Sequence, residues 1–155
     1  MYPDVSNVNS RELHRVTDSM QSVIAWCREQ GLLATRWECH VCGAGMIESA
    51  DAKRNDGVHW RCHECNCRKE ASIRDGSFFG NGAKLELAMI VDLMYLYLYE
   101  MALHNNLMHE CRIASEAIAN WRNSVRDIYA EYFVAHPLRI GGPGHVVEID
   151  ELVFV

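Results

Sequence analysis

Three features are missing from this chain, and each absence closes off a class of protein. No run reaches the roughly eighteen apolar residues of a membrane-spanning helix; the nearest stretch, residues 85–103, is broken by Asp92 and Glu100. The first ten residues are polar and lack the basic-then-apolar order of a secretion signal. Basic residues are outnumbered, 15 Lys and Arg against 21 Asp and Glu, so the net charge of −6 argues against a nucleic-acid partner drawn by the overall field. Any DNA contact has to come from a local basic face. The expectation is a soluble, non-secreted protein with no membrane partner, nuclear in a eukaryote or cytoplasmic in a bacterium. Its 49% hydrophobic content is enough for the core of one domain or two small ones.

Cysteine, by contrast, is plentiful and patterned. Cys39-His40-Val41-Cys42-Gly43 is followed by Cys62-His63-Glu64-Cys65-Asn66-Cys67, with nineteen residues between Cys42 and Cys62. Two Cys-x-x-Cys pairs at this separation fit a structural zinc site. Thiols of a non-secreted protein stay reduced, which favours metal over disulfides, a redox pair or scattered core thiols. A tight turn lets both thiolates of a pair reach one ion, and Gly43 supplies the backbone freedom that turn needs. Asn66 follows Cys65 in the same way and tolerates positive φ, so knuckle geometry favours Cys65 over the surplus Cys67. Four thiolates close a tetrahedron with no open position, which makes the ion structural. His40, His59 and His63 are near enough to substitute as ligands, but each reads as a surface histidine. Cys27 falls on an apolar stripe and reads as a buried thiol.

Around this centre the chain is mostly helical. Residues 10–30 are predicted to form one helix, capped by Asn9 or Ser10 and stopped at Gly31, with Leu13, Val16, Met20, Val23, Ile24 and Cys27 on one face. Asp56-Gly57 signals a hairpin turn between Met46-Ile47 and Val58-His59-Trp60, and residues 72–82, with Gly76, Gly80 and Gly82, read as a loop. Residues 84–104 are apolar almost all round, as in a helix buried on most sides. Asn105-Asn106 breaks that pattern before a short helix through His109 and Cys111. Residues 115–134 are amphipathic, with Ile118, Trp121, Val125, Ile128 and Tyr132 inside and Arg122, Asn123 and Arg126 sharing an outer face. This succession is compatible with a helix-turn-helix, whose last helix enters the DNA major groove, and equally with a three-helix bundle bearing a solvated face. A linker with Pro137, Gly141, Gly142, Pro143 and Gly144 leads to residues 146–155, a strand apolar on both faces with no further strand to pair with it.

In combination, several of these stretches are similar to Merlin-type DDE transposases and their bacterial insertion-sequence relatives. They are the helix end at residues 26–33, the cysteine pairs, Trp60-Arg61-Cys62, and Cys67-Arg68-Lys69-Glu70-Ala71-Ser72-Ile73-Arg74-Asp75-Gly76-Ser77-Phe78-Phe79. To these are added the helices ending in Trp121 and Arg126, and Gly141-Gly142-Pro143-Gly144 before Val147-Glu148-Ile149-Asp150-Glu151. The resemblance covers nearly the whole chain. It implies an N-terminal helix over residues 1–35, a zinc ribbon over 36–80 and a helix-turn-helix-like region over 81–136. Residues 137–155 would be a linker and the lone first strand of a truncated RNase H-like domain.

The resemblance also assigns roles. Its register puts the fourth zinc ligand at Cys67, giving Cys39, Cys42, Cys62 and Cys67, with Cys65 as the alternative. The family order of modules, taken with the shared outer face of the last helix and the basic residues of the ribbon, places contacts to double-stranded DNA at transposon ends on Arg122, Asn123 and Arg126 and on Arg68, Lys69 and Arg74. Asp150 takes the first position of the catalytic acidic set. In a full-length relative such carboxylates hold Mg²⁺ for attack on a phosphodiester; here the second and third acids are absent, so no enzymatic activity is expected of the chain alone. A decayed element, a gene-model fragment or a host-adopted DNA-binding module all fit, and a homo-oligomer is compatible with the pattern. An active enzyme completed in trans by another chain is a further reading. The alternative from another class is a zinc-ribbon protein-interaction module without DNA specificity.

Overall fold

The computed structural model describes residues 8–64, 67–80, 84–99, 104–138 and 141–144, together with Val146 and Glu148. Among them are five helices and one three-stranded antiparallel sheet. The expected single N-terminal helix is two, α1 (Ser10–Thr17) and α2 (Met20–Glu29). Ser19 makes the break: its backbone is extended, and its hydroxyl accepts the Ser22 N–H at 3.1 Å, capping a new helix. Asn9, not Ser10, caps α1, in a reciprocal pair with Glu12. The apolar stripe survives the break, with Leu13, Val23, Ile24 and Cys27 all buried. Gly31 ends α2 as expected. Its φ is +70°, and Leu32 N–H reaches Cys27 O at 2.7 Å while Gly31 N–H reaches Arg28 O at 3.0 Å.

The sheet runs in the order β1 (Ile47–Ala50), β2 (Val58–Arg61), β3 (Glu70–Ser72). The hairpin at Asp56-Gly57 is present, with Ala50 opposite Val58 and the turn closed by Asp51 N–H on Gly57 O at 2.8 Å. Both faces of β2 are covered. Trp60 packs into the core beneath Arg28 of α2, whose guanidinium lies 5.5 Å from the ring centroid and pairs with Glu48 of β1. On the other face His59 is buried, which corrects its reading as a surface histidine; its Nε2 lies 3.5 Å from Glu70 Oε1, and Glu70 also takes Arg54 at 2.7 Å. The stretch after β3 is no passive loop either. Ile73 and Phe79 are fully buried, Phe79 in a short 3-10 turn (Phe78–Gly80).

The later helices are α3 (Leu87–Leu98), α4 (His104–Cys111) and α5 (Ser115–Ala135). Asn105 and Asn106 lie inside α4 and do not break it, since Asn lowers helix propensity only modestly. Three residues separate α4 from α5: Arg112 in the left-handed region (φ +50°), buried Ile113, and Ala114, which starts α5 without a side-chain cap.

Two cores meet on α3, and that explains why it is apolar nearly all round. Leu87, Ile90 and Val91 join α1, α2 and the ribbon residues Met46, Trp60, Ile73 and Phe79; Leu93 joins Leu107, Ile113 and Ile118. The expected boundaries at 35/36 and 80/81 therefore run through one continuous core. No helix among the described residues is long and apolar enough to cross a membrane. The expected C-terminal strand lies outside the described residues apart from Val146 and Glu148.

Candidate metal centre

Two turns of different length build the same device. In the first, Gly43 adopts φ +72°, and the N–H of Cys39 bonds to the carbonyl of Ala44 at 2.8 Å. In the second, Arg68 adopts φ +42°, and the N–H of Cys62 bonds to the carbonyl of Lys69 at 2.9 Å. Each turn thus places a left-handed residue just after its second cysteine and closes on the carbonyl one position further along. By this equivalence Cys67 is the counterpart of Cys42. Cys65 and Asn66 lie outside the described residues, so the knuckle expected at Cys65 is not described; the left-handed position stands at Arg68.

The sulfurs of Cys39, Cys42, Cys62 and Cys67 all lie within 4.8 Å of one another, with Cys39–Cys67 at 3.4 Å and Cys42–Cys62 at 3.5 Å. A tetrahedron with metal–sulfur bonds of about 2.3 Å has edges of about 3.8 Å, so the four match one soft divalent ion. The six cysteines among the described residues are free of disulfides, and Cys27 and Cys111 stand apart from the cluster. Cys39 and Cys62 are buried, whereas Cys42 is exposed.

The thiols of the cluster do not share one protonation behaviour. Backbone N–H groups of Cys42 and Val41 hold the Cys39 thiol down to about 6. For Cys62 the Glu64 N–H acts the same way, but burial and the crowding sulfurs outweigh it and push the thiol up to about 12. Cys67 is raised as well, first by its contact with Cys39. One thiolate forms readily and its neighbours resist joining it, which is the behaviour of a like-charge cluster. A bound divalent ion would remove that conflict by stabilising all four thiolates. Cys27, by contrast, is raised to about 12 by burial and is an inert core thiol, as expected.

The predicted DNA contacts separate into three groups. Arg68 and Lys69 are exposed beside the second knuckle, and Asn123 and Arg126 are exposed on α5. Arg122 does not share their outer face: it is half-buried, lining a crevice with Met94, Tyr97 and Trp121. Arg74 is removed from the set altogether. It is 5% exposed, donating Nε to Asp56 Oδ2 at 2.7 Å and Nη1 to Leu85 O at 2.9 Å, with Nη2 on the second Asp56 oxygen. A guanidinium so engaged is not presented to a phosphate. Asp150 lies outside the described residues. No family model, no curated protein and no solved structure matches this chain.

Proposed function

We propose that this chain is a zinc-organised, double-stranded-DNA-binding module, in which a four-cysteine ribbon and a helix-turn-helix share a core through α3. The observation that carries it is the pair of equivalent knuckles aiming four sulfurs at one point, directly packed on helices that end in a short helix, a three-residue turn and a long helix. Tetrahedral thiolate sites of this kind select zinc or iron–sulfur clusters, and one closed four-sulfur position for a single ion favours zinc. Zinc here supplies folding energy and no chemistry. The α4–turn–α5 arrangement has the turn length of a helix-turn-helix, with Ile113 as the plug between the helices. On that reading α5 enters the major groove with Asn123 and Arg126, while Arg68 and Lys69 hold the backbone. The resemblance to Merlin-type transposases supplies the target class, the ends of a mobile element.

On the same reading residues 1–155 bind DNA and do not cleave it by themselves. A two-metal phosphodiester site needs several converging carboxylates, and Asp150 is one. Strand cleavage with Mg²⁺ that disappears in Asp150→Asn would overturn this part and imply a site completed by a second chain.

The test is fluorescence anisotropy of a labelled duplex against the zinc-loaded chain over a salt series. Phosphate contacts release counterions, so affinity has to fall steeply as salt rises. Glu116 and Asp127 sit on α5 beside the proposed contacts, so binding of modest strength is expected. No retention of any duplex at low salt would leave the ribbon as a protein-interaction module instead.

A further inference from the structure

We propose that Cys42 is a peroxide-reactive modification site, and that its oxidation is resolved by Cys62 as a disulfide joining the two knuckles. The proposal rests on the zinc reading of the four-cysteine cluster and adds a redox response to it. The four sulfurs divide by access. Cys39 and Cys62 are 2% and 1% exposed and Cys67 is half-buried, whereas Cys42 is exposed on the first knuckle. His40, Val41 and Gly43 around it are exposed as well, and a side chain built at Gly43 or Gly45 would meet nothing within 4 Å. A small oxidant reaches this ligand without displacing a neighbour. Reactivity needs thiolate and access together. A bound divalent ion supplies the first to all four sulfurs, and the fold supplies the second most fully at Cys42. Cys27 is fully buried, and Cys111 is half-buried and stands apart from the cluster.

The sheet sets the partner for resolution. β1 begins at Ile47 opposite Arg61, the last residue of β2, so the chain before β1 and the chain after β2 lie at the same end of the hairpin. Cys42 and Cys62 stand on those two segments, with sulfurs 3.5 Å apart. Cys39 faces Cys67 at 3.4 Å, the other pair across the knuckles. The strand pairing itself holds the two knuckles face to face, so the Cys62 sulfur stays in reach once Cys42 is oxidised. Burial keeps Cys62 from the oxidant and leaves it open only to the sulfurs of the cluster.

With hydrogen peroxide as the oxidant the electrons balance. The Cys42 thiolate sulfur attacks one peroxide oxygen; the O–O bond breaks, a sulfenic acid forms and hydroxide leaves. The Cys62 thiolate then attacks the Cys42 sulfur, forming the S–S bond and expelling a second hydroxide. Each thiolate has lost one electron and the peroxide has gained two. Cys39 and Cys67 remain, too few to hold an ion that takes four ligands. The disulfide also protects Cys42 from further oxidation to the irreversible sulfinic acid, so a thiol reductant can restore the site.

The test treats the full zinc-loaded chain with graded hydrogen peroxide, follows metal release with a chromophoric chelator and maps the cysteines by mass spectrometry. Dimedone present during the reaction should label Cys42 before any other cysteine. Without dimedone, the first disulfide should be Cys42–Cys62, formed in step with zinc release, and dithiothreitol with added zinc should return one ion per chain. Cys42→His keeps four ligands, since imidazole serves in place of one thiolate in such sites, and removes the reactive sulfur. It should carry zinc and lose the peroxide-driven release; if it fails to bind zinc, the wild-type map decides alone. Zinc content before oxidant separates the failures, because a chain that carries no metal overturns the zinc reading and this proposal with it. A zinc-loaded chain that keeps its ion under peroxide overturns the proposal alone. So does a first disulfide within one knuckle or onto Cys65, or a zinc-loaded Cys42→His that releases its ion as fast as wild type.

Discussion

Arg68 decides which cysteine completes the proposed zinc site. A non-glycine residue in the left-handed region is uncommon and is held there by its surroundings, here the Cys62 N–H on the Lys69 carbonyl. Nothing in the residue type announced this: Asn66 offered the better turn chemistry, and the geometry uses Arg68. The expected outcome is that Cys67→Ser loses the zinc while Cys65→Ser keeps one ion per chain by native mass spectrometry. The buried Arg74–Asp56 pair was equally illegible, because an arginine in a polar, glycine-containing stretch reads as surface. Removing one partner strands a buried charge, so Asp56→Ala should cost about 3–5 kcal/mol in urea unfolding. Asp92 adds a pH dependence. Burial against α1 raises its carboxyl above the ordinary 3.8, partly offset by His14 and Thr17, and its Oδ1 is buried without a hydrogen-bond partner among the described residues. The folded state then holds this proton more tightly than the unfolded chain. Its contribution is full below the unfolded value and lost as pH rises through the raised one. Asp92→Asn keeps a neutral group, so its stability relative to wild type should grow across that window in paired denaturation curves.

At the scale of elements, periodicity revealed what was long and burial set the rest. The stripes of α1–α2 and α5, the hairpin at Asp56-Gly57 and the Gly31 stop were legible, because each rests on a local pattern. The break at Ser19 was not, since one serine inside a helical stripe looks tolerated until its hydroxyl takes the Ser22 N–H. Nor was β3, whose three residues are a strand only because β2 pairs with them, Trp60 opposite Ala71. The short α4 was legible in type and misplaced at its start. On α5 the burial of Arg122 moves the proposed reading face toward Asn123 and Arg126. Arg126→Ala should lower duplex affinity by about 1–3 kcal/mol in a site-dependent way if it reads a base, and uniformly across sequences if it holds a phosphate. Anisotropy on two unrelated duplexes separates these outcomes.

For the whole molecule, the metal knuckles and the helices are one packing unit. Cys39 and Cys62 belong to the same buried cluster as Val23, Cys27, Trp60, Phe79 and Leu87. Sequence alone divided these into an N-terminal helix, a ribbon and a helical region, because segments are visible along a chain whereas a shared core is visible only across it. Structural zinc contributes roughly 10–16 kcal/mol in apparent terms, more than a small core can replace. The most direct measurement is a chelator titration of the zinc-loaded chain, following helix content and duplex anisotropy in one sample. Loss of the ion should abolish duplex binding and helical signal together, over the same range of chelator, and added zinc should restore both. A metal-free chain that keeps its helices and binds duplex unchanged would contradict the account.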